Sequence, residues 1–160
     1  MLIEMEFRTN SISGELLLLY DPVDRSFVSL KFADGQMIFN ISSRGSSFHV
    51  TKALSTKHGL CDGEWHRVKA LFTQKNVMTL EVDDSKAEVA REDYLVPIEL
   101  PENVALYIGG RPASVPAHFV PKVPNFIGCM RNIVVNDQSV KFQNMMTLYN
   151  VQLDSCPTTA

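Results

Sequence analysis

The chain has 160 residues, 45% hydrophobic and 21% charged, enough for one domain to bury a core without help from metals or disulfides. Fifteen basic against 18 acidic residues leave a net charge of −3, which excludes nucleic-acid binding driven by bulk positive charge. Apolar runs all fall short of the roughly 18 residues that span a bilayer, so membrane insertion is not expected.

Met1 opens directly on an alternating pattern, without the basic, apolar and small-residue run of a signal peptide. That start fits a cytosolic chain or a piece of a secreted one. In IEMEFRT, Ile3, Met5 and Phe7 take one face and Glu4, Glu6 and Arg8 the other, a half-buried strand. Ser13-Gly14 turns the chain into ELLLLY, and after Asp21-Pro22 the segment SFVSLKF alternates again. Asp34-Gly35 marks a hairpin into QMIFNIS. SSRGSS, 42–47, reads as a polar loop before a short strand around Phe48 and Val50. From Trp65 onward, His66, Val68, Ala70 and Phe72 share an inner face, while Trp65, Arg67, Lys69 and Leu71 share the outer one. TQKN turns the chain into VMTLEVDD, with Met78, Leu80 and Val82 inward.

SKAEVAREDY, 85–94, is the best helix candidate, and it is short. Further strands are expected at VALYIGG, FIGCMRNIVVND and SVKF. Between them, 111–125 carries Pro112, Pro116, Pro121 and Pro124, which makes it a long loop or an edge segment, since proline removes the ladder donor. Many brief strands joined by Gly, Pro and Asp turns predict an all-β sandwich or jelly roll, a single domain over 1–160.

The stretch HGLCDGEWH, 58–66, gathers Cys61, Asp62, Glu64 and His66. A Cys61–His66 enzyme needs an orienting third group and an oxyanion hole, and neither can be read here. The plainer expectation is a turn at Asp62-Gly63, a satisfied core-face histidine and a small buried cysteine. Trp65, Arg67 and Lys69 are either a stacking and anion-holding face or a solvated row paired with Glu81 across the hairpin. Cys61, Cys129 and Cys156 contain no C-x-x-C pair, which fits a zinc site poorly and permits at most one intrachain disulfide. Acids in turns, namely Asp21, Asp24, Asp34, Glu92 and Asp93, are the calcium candidates, without EF-hand spacing. Asn40-Ile41-Ser42 is a glycosylation sequon that counts only in a secreted protein.

Four segments in this order resemble one family: MEFRTNSISGELLLLY, LCDGEWHRVKALFTQKNVMTLEVDD, VALYIGGRP and FIGCMRNIVVNDQSV, closed by VQLDSCP. They are similar to laminin G-like domains, most of all those of laminin α chains, and cover nearly the whole chain. The resemblance implies a two-sheet antiparallel β-sandwich of jelly-roll, concanavalin-like type with about 14 strands. It implies a Cys129–Cys156 disulfide contributing roughly 3–4 kcal/mol, with Cys61 left as a buried thiol. Family members often carry another strand before EFRT, so an N-terminal edge strand is a candidate omission.

The same resemblance implies a non-enzymatic adhesion module, secreted into the extracellular matrix or basement membrane as part of a larger chain. Its expected partners are sulfated glycans, glycosylated receptors or integrins, and other matrix proteins. Basic candidates in predicted loops are Lys52, Lys57, Lys75, Arg111 and Lys122. The two calcium positions of the family fall at Ser26, with Asp24 nearby, and at Asp93; a hydroxyl is a weak calcium ligand, so Asp24 and Asp93 are the candidates. Secretion would make Asn40 a glycosylation site. A rival reading is a carrier with a steroid-like ligand between the sheets, which requires an apolar cavity there.

Overall fold

The structure is a computed structural model that describes residues 1–43, 46–53, 59–90, 104–118, 120–145, 148, 150–153 and 156. The described residues form eleven strands and one 3₁₀ turn, in two antiparallel sheets. Strands β1 (Leu2–Arg8), β6 (His66–Phe72), β7 (Val77–Val82), β8 (Ser85–Ala90), β10 (Cys129–Val135) and β11 (Gln138–Ser139) make the first, in the order β11-β10-β1-β6-β7-β8. The second contains β2 (Gly14–Asp21), β3 (Ser26–Ala33), β4 (Gln36–Ser43), β5 (Ser46–Ala53) and β9 (Ala105–Ile108), in the order β5-β4-β3-β2-β9. Strand β1, the first in the chain, sits between β10 and β6 in the sheet interior.

Alternation places the core between the sheets. Ile3, Met5 and Phe7 face it from β1, Val68, Ala70 and Phe72 from β6, and Met37, Phe39 and Ile41 from β4. At one end Phe7 stacks on Phe32 at 5.6 Å, with Phe126 edge-on to both. At the other, Phe48 meets Phe72 edge to face at 6.0 Å. Such aromatic pairs favour these offset and edge-on arrangements over a face-to-face sandwich.

Strands β2 and β3 depart from simple alternation. A bulge between Glu15 and Leu17 sends both Leu16 and Leu17 into the core. Leu18, Tyr20 and Phe27 point to the outer face and are nevertheless buried, under Val115 and Val120 of the proline-rich segment. That segment is therefore a strap across β2 and β3, held by Glu15 N–H donating to the Pro124 carbonyl and Lys31 Nζ to that of Pro121. Covering each large apolar side chain in this way contributes about 1.5–3 kcal/mol.

Two local expectations change. Residues 85–90, inside the helix candidate, are β8, paired along β7 from Val82↔Ser85 to Val77↔Ala90. The supposed loop at 42–47 is mostly strand, because β4 runs to Ser43 and β5 starts at Ser46. The Asp34-Gly35 hairpin forms as expected, with both residues at positive φ, 51° and 71°, the two-residue turn whose twist matches its strands.

Candidate binding surface

The acid–histidine cluster comes first because it looks most like chemistry. His66 Nε2 lies 2.8 Å from Asp62 Oδ1, and Nδ1 lies 2.9 Å from Asp83 Oδ2. Acceptors on both ring nitrogens require a proton on each, the imidazolium form. Burial by itself favours the neutral ring, but the hydrogen bonds and charges of Asp83 and Asp62 outweigh it and hold the His66 pKa above its ordinary value. For Asp62 burial again opposes ionisation, yet the Glu64 N–H and His66 lower its pKa. Asp83 Oδ1 also accepts from the Arg67 N–H at 2.9 Å. His66 thus ties the 62–65 turn to the β7–β8 hairpin, and its ring packs 6.1 Å from Phe7. Both nitrogens are committed to a structural clamp. Cys61, expected in the core, is a half-buried thiol outside any disulfide.

This clamp makes a pH prediction. A raised histidine pKa gives stability that is complete below the unfolded value and is lost as pH rises through the folded one. The lowered Asp62 pKa gives stability present above the unfolded value and lost as pH falls through the folded one. His66→Gln should therefore cost most near about pH 5.5, below the unfolded histidine value, and progressively less as pH rises through the raised folded value. Because Asp62 and Asp83 are 36% and 47% exposed, solvent screening keeps the difference near about 1 kcal/mol. Urea midpoints of both proteins across that range would measure it; a constant gap would reject the charged clamp.

The outer row of the six-stranded sheet is laced by ion pairs. Glu4 takes Arg67 at 3.3 Å and Lys69 at 3.5 Å, and Glu6 takes Arg131 at 2.8 Å with Asn132 beside it. Lys69 faces Glu81 in register, but its ammonium pairs with Glu4. Two guanidiniums lie over Trp65, Arg131 at 3.9 Å from its ring centre and Arg8 at 5.3 Å. A depression of about 170 Å³ on this face is lined by Arg67, Lys69, Glu81 and Asp83, so its charges cancel. The solvated, cross-paired row prevails over an open stacking platform.

The basic candidates are divided between the ends of the sandwich. Lys52 pairs with Met37, which pairs with Phe32, so it belongs to the Phe7–Phe32 end. Exposed Lys122 follows Pro121 at the Lys31 site, near the same end. Lys75 is exposed in the β6–β7 turn just beyond Phe72, at the Phe48–Phe72 end. Arg111 requires a correction: its side chain is 2% exposed and its Nε sits 3.3 Å from Glu15 Oε2, itself 1% exposed. It holds the strap down and presents no charge at the surface. Lys57 lies outside the described residues.

Asp24 is exposed in the β2–β3 turn, at the Lys75 end. Asp21 organises that turn, its Oδ1 accepting from the N–H groups of Val23 at 2.8 Å and Asp24 at 3.4 Å. Asp93 lies outside the described residues, among which no group of three or more His, Cys, Asp or Glu is placed to hold a metal. Calcium wants about six to eight oxygens, so these residues alone do not furnish its shell. Asn40 sits half-buried on the outer row of β4, accepting from Ser47 Oγ at 3.2 Å. Cys129 and Cys156 are joined, with Cα atoms 5.7 Å apart, as the family resemblance implies.

Two antiparallel sheets packed around a shared apolar core define a jelly-roll β-sandwich. A family model described as Laminin G domain matches residues 7–138, and the chain belongs to that family. Its likeness to human laminin subunit alpha-1 is 32% identity over 98% of this chain and 5% of that one. Drosophila melanogaster laminin subunit alpha is 29% identical over 91% of this chain and 4% of its own length, and human pikachurin 31% over 90% and 14%. The chain therefore spans a small part of each relative. Domains LG4-5 of the mouse laminin alpha1 chain superpose with a TM-score of 0.76 at 21% identity, over 93% of this chain and 38% of that one. The LG1-3 region of the laminin alpha2 chain gives 0.72 at 20%, over 98% and 26%. At family level the domain is a binding module of extracellular matrix type.

Proposed function

We propose that this laminin G domain is a non-enzymatic adhesion module of a secreted basement-membrane or cell-surface protein, working beside neighbouring domains of a longer chain. Its rim loops bind sulfated glycans, glycosylated receptors or integrins, and other matrix proteins. One observation carries the reading: the acid–histidine cluster is consumed by a structural clamp, while Lys52, Lys75 and Lys122 stand on loops or strand ends of the rims. Lys57 completes the set in the sequence, and Asn40 is the proposed glycan attachment point.

Basic side chains split between two ends give a shallow electrostatic footprint, so heparin affinity should be modest. The domain is expected to stay on a heparin column near about 0.1 M salt, and Lys122→Ala and Lys75→Ala should each elute earlier. Passage without delay at that salt would retire the glycan reading and leave protein partners. Calcium is proposed to be held by Asp24, at the Lys75 end, together with Asp93. Millimolar calcium should then raise the Tm by linkage, an effect that Asp24→Asn removes; identical melting with chelator would retire it.

A further inference from the structure

The disulfide that anchors the C-terminal arm has a cation set against one of its sulfurs. Arg8 ends β1, and its partner across the ladder is Cys129, the first residue of β10. From there Arg8 Nη2 reaches Cys156, 2.8 Å from Sγ and 3.5 Å from the carbonyl oxygen. The same guanidinium lies 5.3 Å from the ring centre of Trp65. Glu6, on the same outer row of β1, is engaged by Arg131 and Asn132. Both cysteines are half-buried, so the bond is not sealed in the core.

A neighbouring cation lowers the pKa of a thiol, and a sulfur of lower pKa leaves faster in thiol–disulfide exchange. The two sulfurs of this bond are therefore unequal as leaving groups. We propose that Cys129–Cys156 is a thiol-exchange site, at which a low-molecular-weight thiolate attacks Cys129 Sγ and expels Cys156 as a thiolate beside Arg8. The incoming sulfur forms a new S–S bond to Cys129 as the Cys129–Cys156 bond breaks. The bonding pair passes to Cys156 Sγ, whose negative charge the guanidinium receives. The product is a mixed disulfide on Cys129. A second small thiolate then attacks that mixed disulfide at the small thiol's sulfur, releasing the oxidised small disulfide and leaving Cys129 reduced; two electrons have passed from two small thiols to the protein bond.

Opening this bond removes the covalent link between Cys156 and β10. Past the 3₁₀ turn Phe142–Asn144, the described residues of the arm form no helix or strand, and Cys156 is its covalent tie to β10. Trp65, the single tryptophan, would report the change because Arg8 bridges it to Cys156.

The test treats the intact domain with glutathione at neutral pH, quenches with an alkylating agent and maps the modified peptides by mass spectrometry. The expected result is glutathione on Cys129 and the alkyl group on Cys156, with a change in Trp65 fluorescence at the same rate. Arg8→Gln should slow the exchange about tenfold and erase the preference between the sulfurs. Arg8→Lys should keep the preference, and Arg131→Gln should react like the unsubstituted domain. Adducts on Cys156 or shared evenly, an unreacted bond, or an unchanged rate in Arg8→Gln would each overturn the proposal. If Arg8→Gln does not fold, the adduct position in the unsubstituted domain decides alone.

Discussion

Glu15→Met is expected to destabilise the domain by about 3–5 kcal/mol, the cost of leaving a buried charge without its partner. Glu15 and Arg111 are 1% and 2% exposed and stand 3.3 Å apart beneath the strap, with neither making a well-formed side-chain hydrogen bond to the other. The two single substitutions should not be equivalent. A guanidinium cannot shed its proton inside a protein, so Arg111 left alone stays charged in a dry place. A carboxylate can take one up. Burial already pushes the Glu15 pKa above its ordinary value, with Arg111, Lys31 and Lys122 pulling it back only in part. Arg111→Met therefore leaves a group that can neutralise itself, and should cost clearly less. The double variant removes both charges and should return close to the parent. Urea midpoints of the four proteins would show this order; equal losses in the two single variants would mean that the pair is wetter than its burial indicates.

Gly128→Ala is the second large effect. Gly128 has φ 152°, and a Cβ built on it would overlap the Arg8 carbonyl oxygen and approach Phe126 Cζ at 2.8 Å. Backbone is the obstacle, so no rotamer change relieves it. The Arg8↔Cys129 end of the β1–β10 ladder would have to shift, dislodging Phe126 from its edge contacts with Phe7 and Phe32. Strain and overpacking together suggest a loss of about 4 kcal/mol, or a fall in Tm of about 8–16 °C for a domain of this size. Thermal unfolding would measure it, and a change within about 1 kcal/mol would show that the ladder end is pliable.

The sequence carried the fold well wherever one face of a strand meets water. Ile3, Met5 and Phe7 against Glu4, Glu6 and Arg8 is a pattern that only a half-buried strand explains, and β1 has it. The pattern fails where both faces are covered: Leu18 and Phe27 lie under a strap about ninety residues away in sequence, and nothing local marks that. Residues 85–90 of the helix candidate are strand for a related reason, while 91–94 lie outside the described residues. Edge strand β8 is exposed on most of its length, so alternation had no core to record.

The surface chemistry was less legible still. Arg111 beside two glycine residues reads as a loop cation, and only tertiary folding brings it onto Glu15. Asp83, the second clamp on His66, is 17 residues away across a hairpin, though the register of β6 on β7 could have located it. Alternation places Arg8 on an outer row, but its reach to Cys156 crosses 148 residues of sequence.

The strap also sets an order of events. Strand β2 is flanked by β3 and β9, faces the core with Leu17 and Leu19, and carries the strap on Leu18 and Tyr20. No small fluctuation exposes its backbone. Its amide protons should exchange with solvent only through global unfolding, which makes β2 the last part of the domain to forget the native state.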